Sequence, residues 1–129
     1  MTKPKLTKRG AKQVKEQKPP RETLRGHGHN VFLRDKFRCK YCGFDGREFL
    51  SWMQLSIDHV LPRSSGGSDE DENLVACCRS CNSITSRMKF ERGTKRVDAI
   101  RQKRALVRER HGKCLEFWKT NVVQTYLIR

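Results

Sequence analysis

Two cysteine pairs constrain this chain more than any other feature: Cys39-Lys40-Tyr41-Cys42 and Cys78-Arg79-Ser80-Cys81. Each spacing lets two thiolates on one tight turn grip a metal from the same side, and Gly43, after the first pair, permits that turn. Together the pairs supply the four ligands of a closed tetrahedral structural zinc site. The gap between them is longer than in an ordinary zinc ribbon, so the metal is expected to clamp the two ends of a longer excursion. Cys77 stands beside Cys78, but only Cys78 keeps the two-residue spacing to Cys81 and is the expected ligand. Cys77 and Cys114 are left over and are expected to be buried as small hydrophobes. The competing reading of the four paired cysteines is a set of unrelated core thiols.

A chain of 129 residues is normally one domain, with a core that has little to spare. Hydrophobic residues are 35% and charged residues 33%, so part of the chain is expected to be unpacked and a metal staple would help the rest. The 29 basic residues outnumber 14 acidic ones, a net charge of +15, which points to a polyanionic partner, nucleic acid before membrane. No apolar run approaches a membrane span, and the basic N-terminus lacks the apolar segment of a secretory signal. The expectation is an intracellular, cytoplasmic protein associated with DNA, in a compartment where paired cysteines hold metal.

The chain divides by composition. Residues 1–20 carry Lys3, Lys5, Lys8, Arg9, Lys12, Lys15 and Lys18 against Glu16 and close on Pro19-Pro20. They read as a disordered basic arm able to slide on phosphate backbone, or as an inert solubilising tail. Residues 21–92 are the expected core, and 93–129 a basic helical extension packed on it. Val31, Phe32 and Leu33 predict one or two helical turns ahead of the first cysteine pair. His27 and His29 sit among glycines and are expected in solvent. Trp52 fits hairpin packing better than base stacking. The polar loop after Pro62 ends in Asp69-Glu70-Asp71-Glu72, where Asp69 and Asp71 are expected to face solvent rather than a metal.

Asn73 to Cys77 predicts a strand that pairs with the one carrying Asp58, followed by a helix from Cys78 to about Phe90. Thr94 or Asp98 is the expected cap of a further helix stopping at His111-Gly112. Arg101, Lys103, Arg104, Arg108 and Arg110 are expected on its exposed side, facing phosphates. Leu115, Trp118, Val122 and Tyr126 recur at helical spacing and are expected to pack into a core.

Inside the clamped excursion stands Ser56-Ile57-Asp58-His59-Val60-Leu61-Pro62, an acid beside a base at the end of a short apolar run. Neighbours on a regular strand face opposite ways, so the two can meet one ligand only where the strand bends or ends. Four cysteines leave no open position on zinc, so any chemistry needs a second metal. Asp58 and Asn82 offer oxygen ligands suited to Mg²⁺ or Mn²⁺. His59 would take a proton from water attacking a phosphodiester, with Asn73 holding its ring by a hydrogen bond.

Arg34-Asp35-Lys36-Phe37-Arg38-Cys39-Lys40-Tyr41-Cys42-Gly43, then Ile57 to Pro62, Gly66-Gly67, Asn73-Leu74-Val75 and Cys78 to Asn82, resemble the HNH endonucleases in content and order. The resemblance covers about Arg34 to Lys89. It implies an α+β fold: a ββα-metal core, here stapled by structural zinc, with the basic arm and helical extension outside it. It further implies Asp58 as ligand of the catalytic ion, His59 as general base and Asn73 as the residue orienting it. Asn82 stands where the family name expects histidine, a His-Asn-Asn variant that favours magnesium. The implied products carry 5′-phosphate and 3′-hydroxyl ends.

The leading expectation is thus a metal-dependent DNA endonuclease or nickase, with Arg63, Arg79, Arg87 and Lys89 contacting nucleic acid. Its rivals are a non-catalytic zinc-knuckle binding module, which has no use for Asp58-His59, and a small interaction protein in which those two merely pair. The expected oligomeric state is a monomer or a homodimer.

Overall fold

A computed structural model describes residues 28–127. The expected basic arm, residues 1–20, and His27 lie outside the described residues. Helix α1 spans His29–Arg34, α2 Phe49–Trp52 and α3 Arg79–Thr85, and α4 is the long helix Arg96–Phe117. Strand β1 is Leu55–His59 and β2 is Leu74–Cys78. The fold is mixed helix and small antiparallel sheet, as the sequence predicts.

The two strands pair from Leu55↔Cys78 through Asp58↔Val75 to His59↔Leu74. A two-stranded hairpin is marginal alone and must be covered on both faces. Here β2 is buried along its whole length. On one face Val60, Val75 and Cys77 pack with Tyr41, Phe90, Ala99, Ile100 and Val107. On the other, Leu55 and Ala76 meet Phe32, with Phe37, Trp52 and Ile57 around them. Trp52 therefore packs against the hairpin.

Arg34 and Asp35 join α1 to β2. Arg34 Nη1 donates to the Asp71 carbonyl at 2.7 Å and Nη2 to that of Leu74 at 2.5 Å, while the amide of Ala76 donates to Asp35 Oδ2 at 2.9 Å. Between α1 and the first cysteine pair the chain reverses through Lys36 and Phe37, with φ of 56° and 55°. The cysteine turn itself is tied to the sheet, because the amide of Lys40 donates to the Ala76 carbonyl at 2.8 Å.

Four helical expectations need correction. The helix after Cys78 ends at Thr85, well short of Phe90. The cap of α4 is Lys95, not Thr94 or Asp98, and it makes no side-chain cap bond. The helix also runs through Gly112 to Phe117 and continues as π-helical turns over Trp118–Leu127. A single exposed glycine costs only about 1 kcal/mol, too little to end a helix whose neighbours favour it. Finally, α4 buries a stripe of Ala99, Ile100, Lys103 and Val107, and beyond that stripe Leu115, Trp118 and Tyr126 are exposed, as is Cys114. The helical spacing of those apolar residues is real, but α4 has left the body of the protein before it reaches them.

Candidate metal-dependent active site

The four predicted cysteines converge. The Sγ atoms of Cys39, Cys42, Cys78 and Cys81 all lie within 4.8 Å of one another. Zinc held tetrahedrally at about 2.3 Å from sulfur sets S···S near 3.8 Å, and Cys42 and Cys78 stand 3.7 Å apart. Gly43, with φ of 78°, closes the first turn in the left-handed region that glycine favours, its amide donating to the Cys39 carbonyl at 2.9 Å. Cys78 precedes α3, and its Sγ accepts from the amide of Cys81 at 3.4 Å. Hydrogen bonds from Cys77, Cys78 and Cys81 hold the Cys39 thiol far below the ordinary range. The same contact with Cys39, and then burial, pushes Cys77 up, so that neighbour stays a thiol. Cys77 is fully buried, as expected, and lies outside the cluster. The donor set and its spacing fit a metal such as zinc.

Asp58, His59 and Asn82 line one cavity of about 470 Å³, together with Arg63 and Lys103. Their convergence follows from strand geometry. Asp58 pairs with Val75 and Ser56 with Cys77, so Asp58, Ser56 and the start of α3 share the face covered by α4. His59 has the opposite parity, but it is the last residue of β1, where the chain turns away. The acid and base meet because the cavity sits at the strand end. Asn82 Nδ2 donates to Ser56 Oγ at 3.2 Å, which leaves its Oδ1 without a hydrogen bond among the described residues.

Asp58 is buried and its two oxygens differ. Oδ2 accepts from the Tyr41 hydroxyl at 2.5 Å and from Lys103 Nζ at 2.8 Å. Burial, followed by the charge of Asp58, pushes the Tyr41 hydroxyl far up, so it remains a donor. Oδ1 has no hydrogen bond among the described residues. One carboxylate oxygen and one amide oxygen on a shared cavity fit a hard divalent cation that keeps water and accepts phosphate as further ligands.

The His59 ring makes no hydrogen bond to Asn73 among the described residues. Its Nε2 meets Asp69 Oδ1 at 2.8 Å, and Arg63 grips the same carboxylate at 2.9 and 3.0 Å. Asn73 spends its side chain on the loop: Oδ1 accepts from the Leu61 amide at 2.9 Å, and Nδ2 donates to the carbonyls of Leu61 at 2.9 Å and Ser68 at 2.7 Å. The backbone there is packed so closely that a Cβ on Gly67 would stand 1.7 Å from the Leu61 carbonyl oxygen. Asn73 therefore shapes the loop that carries Asp69, and the expected ring hydrogen bond is made by an aspartate instead.

Asp69 and Asp71 are exposed, as expected, but exposure concealed the Asp69 contact. Lys103 departs furthest from expectation: placed on the solvent side by its helical neighbourhood, it is 2% exposed and pairs with Asp58. Its position four residues after Ala99 and four before Val107, both buried, was the available signal. Arg63, Arg79, Arg87 and Lys89 all lie exposed. Among the described residues no helix is long and apolar enough to cross a membrane.

Residues 39–87 match the family described as HNH endonuclease. The chain is 32% identical over 81 residues to a CRISPR-associated endonuclease Cas9 of Corynebacterium diphtheriae, across 60% of this chain and 7% of that protein. It is 35% identical over 54 residues to the type IV methyl-directed restriction enzyme EcoKMcrA of Escherichia coli, across 40% of this chain and 20% of that enzyme. The chain thus spans a small fraction of either relative. No solved structure matches.

Proposed function

We propose that the chain, whose residues 39–87 match the HNH endonuclease family, hydrolyses phosphodiester bonds in DNA with a divalent cation, Mg²⁺ or Mn²⁺. The observation that carries this is one shared cavity lined by Asp58, His59 and Asn82, with Oδ1 of Asp58 and of Asn82 free of hydrogen bonds among the described residues. Asp58 Oδ1 and Asn82 Oδ1 would hold the ion. When bound, it supplies polarisation of the phosphate and stabilisation of the leaving oxygen.

The protein's own part is proton handling and positioning. Hydrogen bonds from His59, and then Arg63, hold the Asp69 carboxyl below its usual range, so at neutral pH it is an acceptor facing His59 Nε2. The shared proton therefore sits on Nε2, and Nδ1 is the basic nitrogen. His59 takes the proton of the attacking water at Nδ1, and Asp69 steadies the imidazolium that forms. Asn73 acts one step back, by fixing the loop between Leu61 and Ser68. The four cysteines would hold a structural zinc and take no part in the reaction. Arg63 on the cavity, with the exposed Arg79, Arg87 and Lys89, provides phosphate contacts, and the net charge of +15 draws the polyanion in. Residues 1–20 serve as a basic arm, 21–92 as the nuclease core and 93–129 as a basic extension.

Supercoiled plasmid incubated with zinc-loaded protein tests the reading. Mg²⁺ or Mn²⁺ should give nicked or linear product, and Asn82→Ala should reduce it sharply. Binding without cleavage under either ion would favour the zinc-knuckle binding module.

A further inference from the structure

We propose that Lys103 is a positioning residue of the metal site: with Tyr41 it caps Asp58 Oδ2, so that Asp58 can offer a cation only Oδ1. The inference rests on the reading of Asp58 and Asn82 as ligands and goes beyond it. It places in the site a residue of α4, sixteen positions past the end of the segment 39–87 that matches the family.

Lys103 is a long cation in the buried stripe of α4, 2% exposed among Ala99, Ile100 and Val107. Enclosing an ammonium is costly unless its donors are satisfied. Two of them are: Nζ donates to Asp58 Oδ2 and to the His59 carbonyl, each at 2.8 Å. Its charge lies 5.4 Å from the centre of the Tyr41 ring and 5.8 Å from that of Phe90. The Tyr41 hydroxyl donates to the same Asp58 oxygen from the zinc-knuckle side. Asp58 is thus held from two elements that meet only in the folded protein.

Two consequences follow for a divalent ion. A carboxylate with one oxygen capped by two donors binds through the other and cannot chelate. A fixed positive charge beside the ligand also opposes the ion, so the site holds it loosely and keeps it exchangeable. Lys103 donates to the His59 carbonyl as well, so it fixes the main chain of the general base together with the metal ligand. Its removal should therefore tighten metal binding and slow turnover, a combination that loss of structure does not give.

Titration calorimetry with Mn²⁺ alone on zinc-loaded protein, beside steady-state plasmid cleavage, tests this. Lys103→Met keeps the length and removes the charge. It should lower the Mn²⁺ dissociation constant by about tenfold or more and lower kcat by a similar factor, with KM for DNA unchanged. Tyr41→Phe removes the other donor to Oδ2 and keeps the ring. It should shift both quantities in the same directions by less, and it serves if Lys103→Met does not fold. Unchanged or weaker Mn²⁺ binding in a folded Lys103→Met, or an unchanged dissociation constant and kcat in Tyr41→Phe, would overturn the proposal. Asn82→Ala separates the two readings. If it leaves Mn²⁺ binding intact, the ligand assignment fails and the proposal with it. If it abolishes binding while Lys103→Met changes nothing, the role of Lys103 alone fails.

Discussion

At the residue scale, the pairing of His59 with Asp69 would decide which imidazole nitrogen serves the proposed reaction. The Asp69 side chain is exposed, so its worth lies in geometry and tautomer rather than in stability. The sign of its pH dependence is definite. A carboxyl whose folded pKa lies below its unfolded value stabilises the pair above the ordinary carboxylate range and loses that contribution as pH falls through the folded value. Carboxyl-carbon NMR should therefore place the Asp69 midpoint below the usual value of about 3.9, and His59→Ala should move it back up. A midpoint that ignores the His59 substitution would remove Asp69 from the account.

The same scale shows where sequence reading runs out. Asp58, His59 and Asn82 were legible as a group because the cysteine spacing forces that excursion to close on itself, and the structure brings all three to one cavity. Tyr41, Lys103 and Asp69 were not. Tyr41 and Lys103 reach Asp58 from 17 and 45 residues away, across contacts that no local pattern encodes. Asp69 sits in an acidic loop tip whose composition is that of ordinary solvated surface.

Among the elements, β1 and β2 were readable from their apolar runs, and α1 from the Val31-Phe32-Leu33 cluster. The end of α3, the passage of α4 through Gly112 and the exposure of Trp118 and Tyr126 depend on where the body of the protein stops, which periodicity does not report. The cysteine cluster is the link on which the hairpin and α3 depend, since it joins the knuckle after α1 to the end of β2. Free energy of binding zinc to such a site is free energy of folding. Cys81→Ser and Cys42→Ser should each lower the melting temperature sharply, and a strong chelator should do the same to the unsubstituted protein. Burial pushes the exposed-side Cys42 thiol up to about 11, so zinc must displace its proton, and loading should weaken as the pH falls. Melting temperatures unchanged in both variants would contradict a structural zinc.

For the whole molecule, the proposed function assigns the encounter to charge and the chemistry to the cavity. With a net +15, DNA affinity should fall steeply with salt, because each neutralised phosphate releases condensed counterions. Arg87→Ala and Lys89→Ala lie on the exposed surface beyond α3. Each should weaken binding to all sequences alike and reduce the slope of log affinity against log salt by about one. A sequence-selective loss instead would mean that these residues read bases.

The central claim is that His59 is the base of a divalent-ion-dependent nuclease whose frame is held separately by the cysteines. Its most direct test is plasmid cleavage by His59→Ala beside the unsubstituted protein, in Mg²⁺ or Mn²⁺, with zinc content and melting temperature measured on the same samples. The account predicts cleavage by the unsubstituted protein, and its loss by a factor of about 10² or more in His59→Ala with both structural readouts preserved. Undiminished cleavage by a folded, zinc-loaded His59→Ala would contradict it.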